Sequence, residues 1–168
     1  MSTLAYTHQL PWHDRWSQPT IEQMLEPLNP QHHKAVTSLM GRAGAYEYVV
    51  RSLVWYGAGW NWSVQFDLKD PKGNDLETLC YVVLKAETPL VCIPLPEATY
   101  NRLPIRRLHK YVRTELRRCK RTFDCYWATW NLSASSEMEQ LTDLLKRKVK
   151  IALEPFKPTK APKPKKQG

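Results

Sequence analysis

Between Trp60 and Leu68 the chain reads Trp60-Asn61-Trp62-Ser63-Val64-Gln65-Phe66-Asp67-Leu68, an alternation of large apolar with polar residues. Successive side chains of a strand point to opposite faces, so this stretch predicts a strand with one face on a core and the other turned away. The flanking sequence extends the pattern. Val49 to Tyr56 is rich in β-branched and aromatic residues and predicts a strand ending at Tyr56. Gly57-Ala58-Gly59 supplies the backbone freedom of a short hairpin connection. Downstream, Asp70-Pro71-Lys72-Gly73-Asn74-Asp75 is dense in turn formers, and Leu79 to Leu84 is apolar throughout, as a strand covered on both faces would be. Leu90 to Ile93 reads as a fourth strand closed by Pro94 and Pro96, and Tyr126, Ala128, Trp130 and Leu132 alternate as a fifth. Short loops between consecutive strands predict an antiparallel meander.

Helices flank these strands. Thr20 with Gln23 fits a capping box ahead of Ile21, Met24, Leu25 and Leu28. Asn29-Pro30 is a second helix start, leading to Val36, Leu39 and Met40 before Gly41 and Gly44 break the run. Glu97 to Leu103 is a short helical stretch. Ile105, Leu108, Val112, Leu116 and Cys119 then line one side of a helix of about sixteen residues. Ser136 with Glu139 forms another capping box, opening a final helix on Met138, Leu141, Leu144, Leu145 and Val149. Its Lys146, Arg147, Lys148 and Lys150 fall in the last turns, where cations suit the helix dipole, and are assigned no binding role. The expected fold class is α+β, a mostly antiparallel sheet of about five strands with helices packed on one face. The expected organisation is an N-terminal arm over residues 1–18, a single domain over 19–153 and a disordered Pro/Lys-rich tail over 154–168.

The helix introduced by Pro19-Thr20, the Trp62-Ser63 pair opening a strand, the Thr78-Leu79-Cys80 strand after a charged turn, the late aromatic strand and the final helix ending in lysines resemble a small bacterial family of single domains. That family is similar to the YdhG-like α+β proteins. The resemblance spans roughly Pro19 to Ala152 and implies the same fold class. The family has no established activity, so the resemblance implies no catalytic residues. Asn61 stands where the family pattern has a glycine before Trp62, and the Pro/Lys tail is additional.

The charge of the 168-residue chain, formally +9, is unevenly distributed. Five lysines and no acid lie between Pro155 and Gly168, and nine basic residues with one acid, Glu115, lie between Arg102 and Arg121. The remainder carries eleven basic and fifteen acidic residues, a mildly acidic body. No apolar run approaches the roughly 18 residues of a membrane span, and Met1 to Trp16 lacks the apolar stretch of a secretion signal, so a cytoplasmic protein is expected.

Signals for catalysis are absent from the pattern. The chain has no nucleophile elbow, phosphate loop or dinucleotide fingerprint, so no enzymatic activity and no cofactor are expected. Cys80, Cys92, Cys119 and Cys125 form no CxxC pair, and His32-His33 point in different directions on a helix. No metal site is expected, and the cysteines read as buried thiols.

Two binding readings follow. In the first, Trp55, Tyr56, Trp60, Trp62, Ser63, Tyr81, Tyr126 and Trp127 form an aromatic surface near the hairpin that holds a small ligand or a protein partner. Trp55 and Trp127 are its best candidates, since alternation puts them on the face opposite their apolar neighbours, whereas Trp60, Trp62 and Trp130 read as core. In the second, Arg106, Arg107, Lys110, Arg113, Arg117, Arg118, Lys120 and Arg121, helped by the lysine-rich tail, bind nucleic acid or another polyanion. A solvated face of an amphipathic helix is the plain alternative to that second reading.

Overall fold

Residues 10–133 and 137–158 are described by a computed structural model. Six strands among them form one antiparallel sheet: β1 (Val49–Trp55), β2 (Trp62–Lys69), β3 (Asp75–Val83), β4 (Leu90–Pro96), β5 (Lys120–Thr122) and β6 (Cys125–Asn131). Their spatial order is β1-β2-β3-β4-β6-β5. Five α-helices accompany the sheet: α1 (Ile21–Leu25), α2 (Pro30–Gly44), α3 (Glu97–Arg102), α4 (Lys110–Arg118) and α5 (Met138–Leu153). The fold is α+β, with one strand more than the pattern resolves. That extra strand, β5, is too short and polar for periodicity to register, and it joins β6 through a two-residue turn in which Phe123 has φ 56°.

Register decides where the core lies. Leu53↔Val64, Val64↔Val82, Val82↔Val91 and Val91↔Trp130 are cross-strand partners and so share one face. On that face Val64, Phe66, Val82, Ile93, Leu95 and Ala128 are buried and belong to one cluster with the apolar sides of α2 and α5.

The helix starts follow their caps. Thr20 and Gln23 form the capping box of α1, and the Asn29 side chain accepts the His32 N–H at 2.8 Å with Pro30 in the first turn of α2. Of the two glycines expected to break α2, the helix passes Gly41 and ends at Gly44. Ala35, Val36, Leu39, Met40 and Ala43 form a buried stripe that holds the helix to Gly44, and this packing outweighs the roughly 1 kcal/mol that one glycine costs. Nothing lies within 4 Å of where a Gly41 Cβ would stand. Gly41→Ala should therefore raise stability by about 0.5–1 kcal/mol, seen as a higher urea midpoint at unchanged slope.

Two further departures bear on the candidate site. The predicted sixteen-residue helix is broken into a 3-10 turn, Ile105–Arg107, an extended Leu108 with ψ 155°, and α4. His109 caps α4 by accepting the Tyr111 N–H at 3.2 Å, and Leu108 is buried in the broken arrangement, so apolar spacing cannot distinguish it from a continuous helix. Lys120 and Arg121 consequently lie on β5. The fourth strand runs through both prolines to Pro96. The N–H and C=O of one strand residue point to the same side, and the Pro94 carbonyl faces β3, so the donor that proline lacks would also have faced β3. There β3 has already parted from β4, whose ladder ends at Tyr81↔Cys92, and no hydrogen bond is lost.

The arm lies against the domain. Trp12 is 1% exposed, its carbonyl accepts the Trp62 N–H at 3.1 Å, and the Trp62 indole donates to the Asp14 carbonyl at 2.7 Å. At the other end Glu154–Phe156 forms a 3-10 turn, with Glu154 paired to Arg102. Residues 1–9 of the arm, Ser136 of the predicted capping box and residues 159–168 of the tail lie outside the described residues. No helix among the described residues is long and apolar enough to cross a membrane.

Candidate binding face

The sheet face opposite α2 and α5 carries a row of rings. Gln65↔Tyr81 and Pro94↔Trp127 are cross-strand partners on this face, and Tyr81 and Trp127 rings stack with centroids 6.3 Å apart and planes at 28°. Trp60 continues the row at 5.2 Å from Tyr81, and Tyr56 touches both Trp60 (5.8 Å) and Tyr81 (5.5 Å). The four rings thus run from β6 across β3 to the β1–β2 hairpin. Tyr56 and Trp127, at the ends, are 39% and 38% exposed. Val83 and Cys92 are buried on this face yet stand outside the helix-side core cluster.

Trp60 reaches this face because the alternation stops at the turn. Asn61 has φ 54°, a left-handed conformation that Asn tolerates, and it sends Trp60 to the side opposite Trp62. The expectation that Trp60 belongs with Trp62 in the core is corrected on that ground. A polar network borders the row: the Tyr56 hydroxyl bonds Gln65, and Asp67 accepts from Gln65 at 2.8 Å and from Thr78 at 2.8 Å. Burial, with the neighbouring Tyr81 and Asp67, pushes the Tyr56 hydroxyl up to about 12, so it remains a donor at neutral pH.

The other aromatic candidates lie elsewhere. Trp55 pairs in register with Trp62, their rings meeting edge-on at 5.9 Å on the helix side, so Trp55 does not join the open face as expected. The hairpin register, which one strand's alternation does not determine, decides this. Tyr126 is on the helix side as well, stacked on Tyr100 with centroids 3.8 Å apart. Ser63 is fully buried and donates to the Trp60 carbonyl at 2.9 Å, so its hydroxyl is spent on the turn. Of the eight aromatic-surface candidates, Tyr56, Trp60, Tyr81 and Trp127 come together.

Beside Tyr81 and Trp127 lies a depression of about 190 Å3, also lined by Thr78, Pro94, Pro96 and Glu77. Bonded to the backbone of its Thr78 and Pro94 is a residue assigned no binding role from the sequence. Lys148 of α5 is 0% exposed and enters the gap between β3 and β4, where its ammonium donates to the carbonyls of Thr78, Leu79 (3.1 Å) and Pro94. Glu77 Oε2 sits 3.5 Å away. Grouping Lys148 with the last-turn cations explained by the helix dipole is thus corrected. Its position, three residues after Leu145 and four after Leu144, is on the apolar stripe, and that spacing was the available signal. Burial lowers the affinity of Lys148 for its proton and raises that of Glu77, each opposed by the partner's charge.

The basic candidates flank one side of the open face. Lys120 is the cross-strand partner of Trp127 and shares its face. Above β5, the free edge of β6 is covered by α4 in place of a strand: Glu115 accepts the Thr129 N–H at 3.2 Å, and the Tyr111 hydroxyl donates to the Asn131 carbonyl at 3.1 Å. A cleft of about 800 Å3 between α4 and β6 is lined by Lys110, Arg118, Thr129 and Asn131, the last two on the face of Trp127. Arg118 is 78% exposed and pairs with Glu115 at 2.7 Å. Arg106, Arg107 and Arg117 are exposed, Arg113 donates to the carbonyls of Arg106 and Leu108, and Arg121 pairs with Glu97 at 2.8 Å.

Burial pushes the Cys80 thiol up to about 12 and Cys92 to about 11, and raises Cys119 and Cys125, so the four thiols are neutral and poor nucleophiles. Comparison of the chain with family models, with curated proteins and with solved structures finds no significant match to any. The functional reading therefore rests on the geometry of this face.

Proposed function

We propose that this protein is a binding module whose working surface is the open sheet face, where flat ring-bearing ligands stack on Tyr56, Trp60, Tyr81 and Trp127. The observation that carries this reading is the contiguous ring row on the side opposite α2 and α5, with about two fifths of both Tyr56 and Trp127 in water. Exposed aromatic surface of this kind is disfavoured unless a partner covers it, and a ring gains from both burial and offset stacking. The Gln65, Asp67 and Thr78 network beside the row offers polar groups that orient a ligand. The free thiols suit a reducing compartment, in keeping with a cytoplasmic location.

Calorimetric titration with nucleosides and other aromatic metabolites tests the reading. Binding is expected, and Trp127→Ala should weaken it about tenfold or more, with the unfolding midpoint of the variant close to that of the native chain. Absence of heat with every ring compound, or affinity indifferent to Trp127→Ala, would remove the reading.

A further inference from the structure

We infer that the occupant of the open face is single-stranded nucleic acid, its bases stacked along the ring row and its phosphates held on the α4 and β5 side by Lys110, Arg118 and Lys120. The inference rests on the stacking reading above and adds charge to it. The row ends at Trp127, and the face changes character there. Lys120 stands directly across from Trp127, and Lys110 and Arg118 line the cleft that opens beside Thr129 and Asn131, two and four residues along the same face.

The charge of that rim faces outward. Lys110, Arg117 and Lys120 are exposed and make no ion pair among the described residues. Two acids share the cleft: Glu115 accepts from the Thr129 N–H and pairs with Arg118, and Glu137 lies near the Tyr111 hydroxyl. Lys110, Arg117 and Lys120 are thus the cations of this rim open to phosphate, Arg118 sharing its charge with Glu115, and ammonium and guanidinium groups both donate to phosphate oxygens.

Stacking rings beside a cationic rim is the combination that holds an unpaired strand. Each base offers a flat face to an aromatic side chain, while the backbone follows the positive groups. A duplex hides its base faces, so it can use the rim only. An uncharged ring ligand would use the row only. A single strand uses both, and this matches the observed adjacency.

Fluorescence anisotropy of the full chain with a labelled twelve-nucleotide single strand, and with the same sequence as a duplex, tests the inference at several salt concentrations. The single strand should bind more tightly than the duplex, with log affinity falling against log salt at a slope of about −2 for three phosphate contacts. Trp127→Ala should weaken single-strand binding at least tenfold and leave the slope unchanged. The triple variant Lys110→Ala, Arg118→Ala, Lys120→Ala should flatten the slope, and a chain ending at Pro158 should retain the single-strand preference. Duplex binding as tight as single-strand binding, or a slope the triple variant leaves intact, overturns the inference. Nucleosides that bind with no gain for the strand overturn it while leaving the stacking reading in place. Failure of both ligands removes both.

Discussion

Lys148→Met is expected to lower folding stability by about 3–5 kcal/mol, the usual consequence of removing one partner of a buried charged pair. The native ammonium joins α5 to three carbonyls of two parted strands and lies beside the Glu77 carboxylate. Methionine nearly matches the volume, so the loss comes from polar groups left unpaired in a dry gap rather than from a cavity. Urea unfolding at pH 7 checks the magnitude, and a loss below about 1 kcal/mol would mean that water or relaxation replaces the ammonium. The deficit also carries a sign with pH. In the native chain Glu77 is already raised by burial, and Lys148 opposes the rise. Without Lys148 the carboxyl rises further, so protonation favours the folded variant. Its deficit should be largest at neutral pH and shrink as the pH falls toward 5, and adding Glu77→Leu should recover part of it.

Trp12→Ala should cost about 3–5 kcal/mol, the range for removing a large buried aromatic side chain. Trp12 belongs to the same buried cluster as Val36, Phe66 and Leu79, although it precedes the first helix. Its carbonyl also satisfies the Trp62 N–H at the first residue of β2. In a chain of this size the loss corresponds to a fall in melting temperature of roughly 10 °C, readable by calorimetry. A variant whose melting temperature stays within about 2 °C of the native chain would show that residues 10–18 are dispensable to the fold. Trp16, by contrast, is 87% exposed, and Trp16→Ala serves as the control.

Much of the fold was legible because local chemistry decided it. The alternation from Trp62 to Leu68, the Thr20–Gln23 box and the Asn29-Pro30 start act within a few residues of chain, and each appears where its pattern places it. β5 was not legible, since Lys120-Arg121-Thr122 carries no apolar period and forms only by pairing with β6. The break at Leu108 was hidden because Leu108 is buried in the broken arrangement, as the apolar spacing of a continuous helix also predicts. For the site, residue types pointed to the aromatics near the hairpin and to the basic stretch after Arg102, but their separation into two sets depended on which face each occupies. Asn61 turns Trp60 away from Trp62, and the β1–β2 register turns Trp55 toward it.

The amino-acid order by itself determined the α+β class, the antiparallel succession of strands and the apolar sides of β2, α2 and α5, because periods of two and of 3.6 are properties of a single segment. The tertiary structure alone decided that Lys148 fills the seam between β3 and β4, and that Tyr56, Trp60, Tyr81 and Trp127 share the face opposite α2 and α5, bordered by Lys120, Arg118 and Lys110. Those facts arise from cross-strand register, a left-handed residue in one turn and the packing of α5 on the sheet, which bring together residues as far apart as 77 and 148.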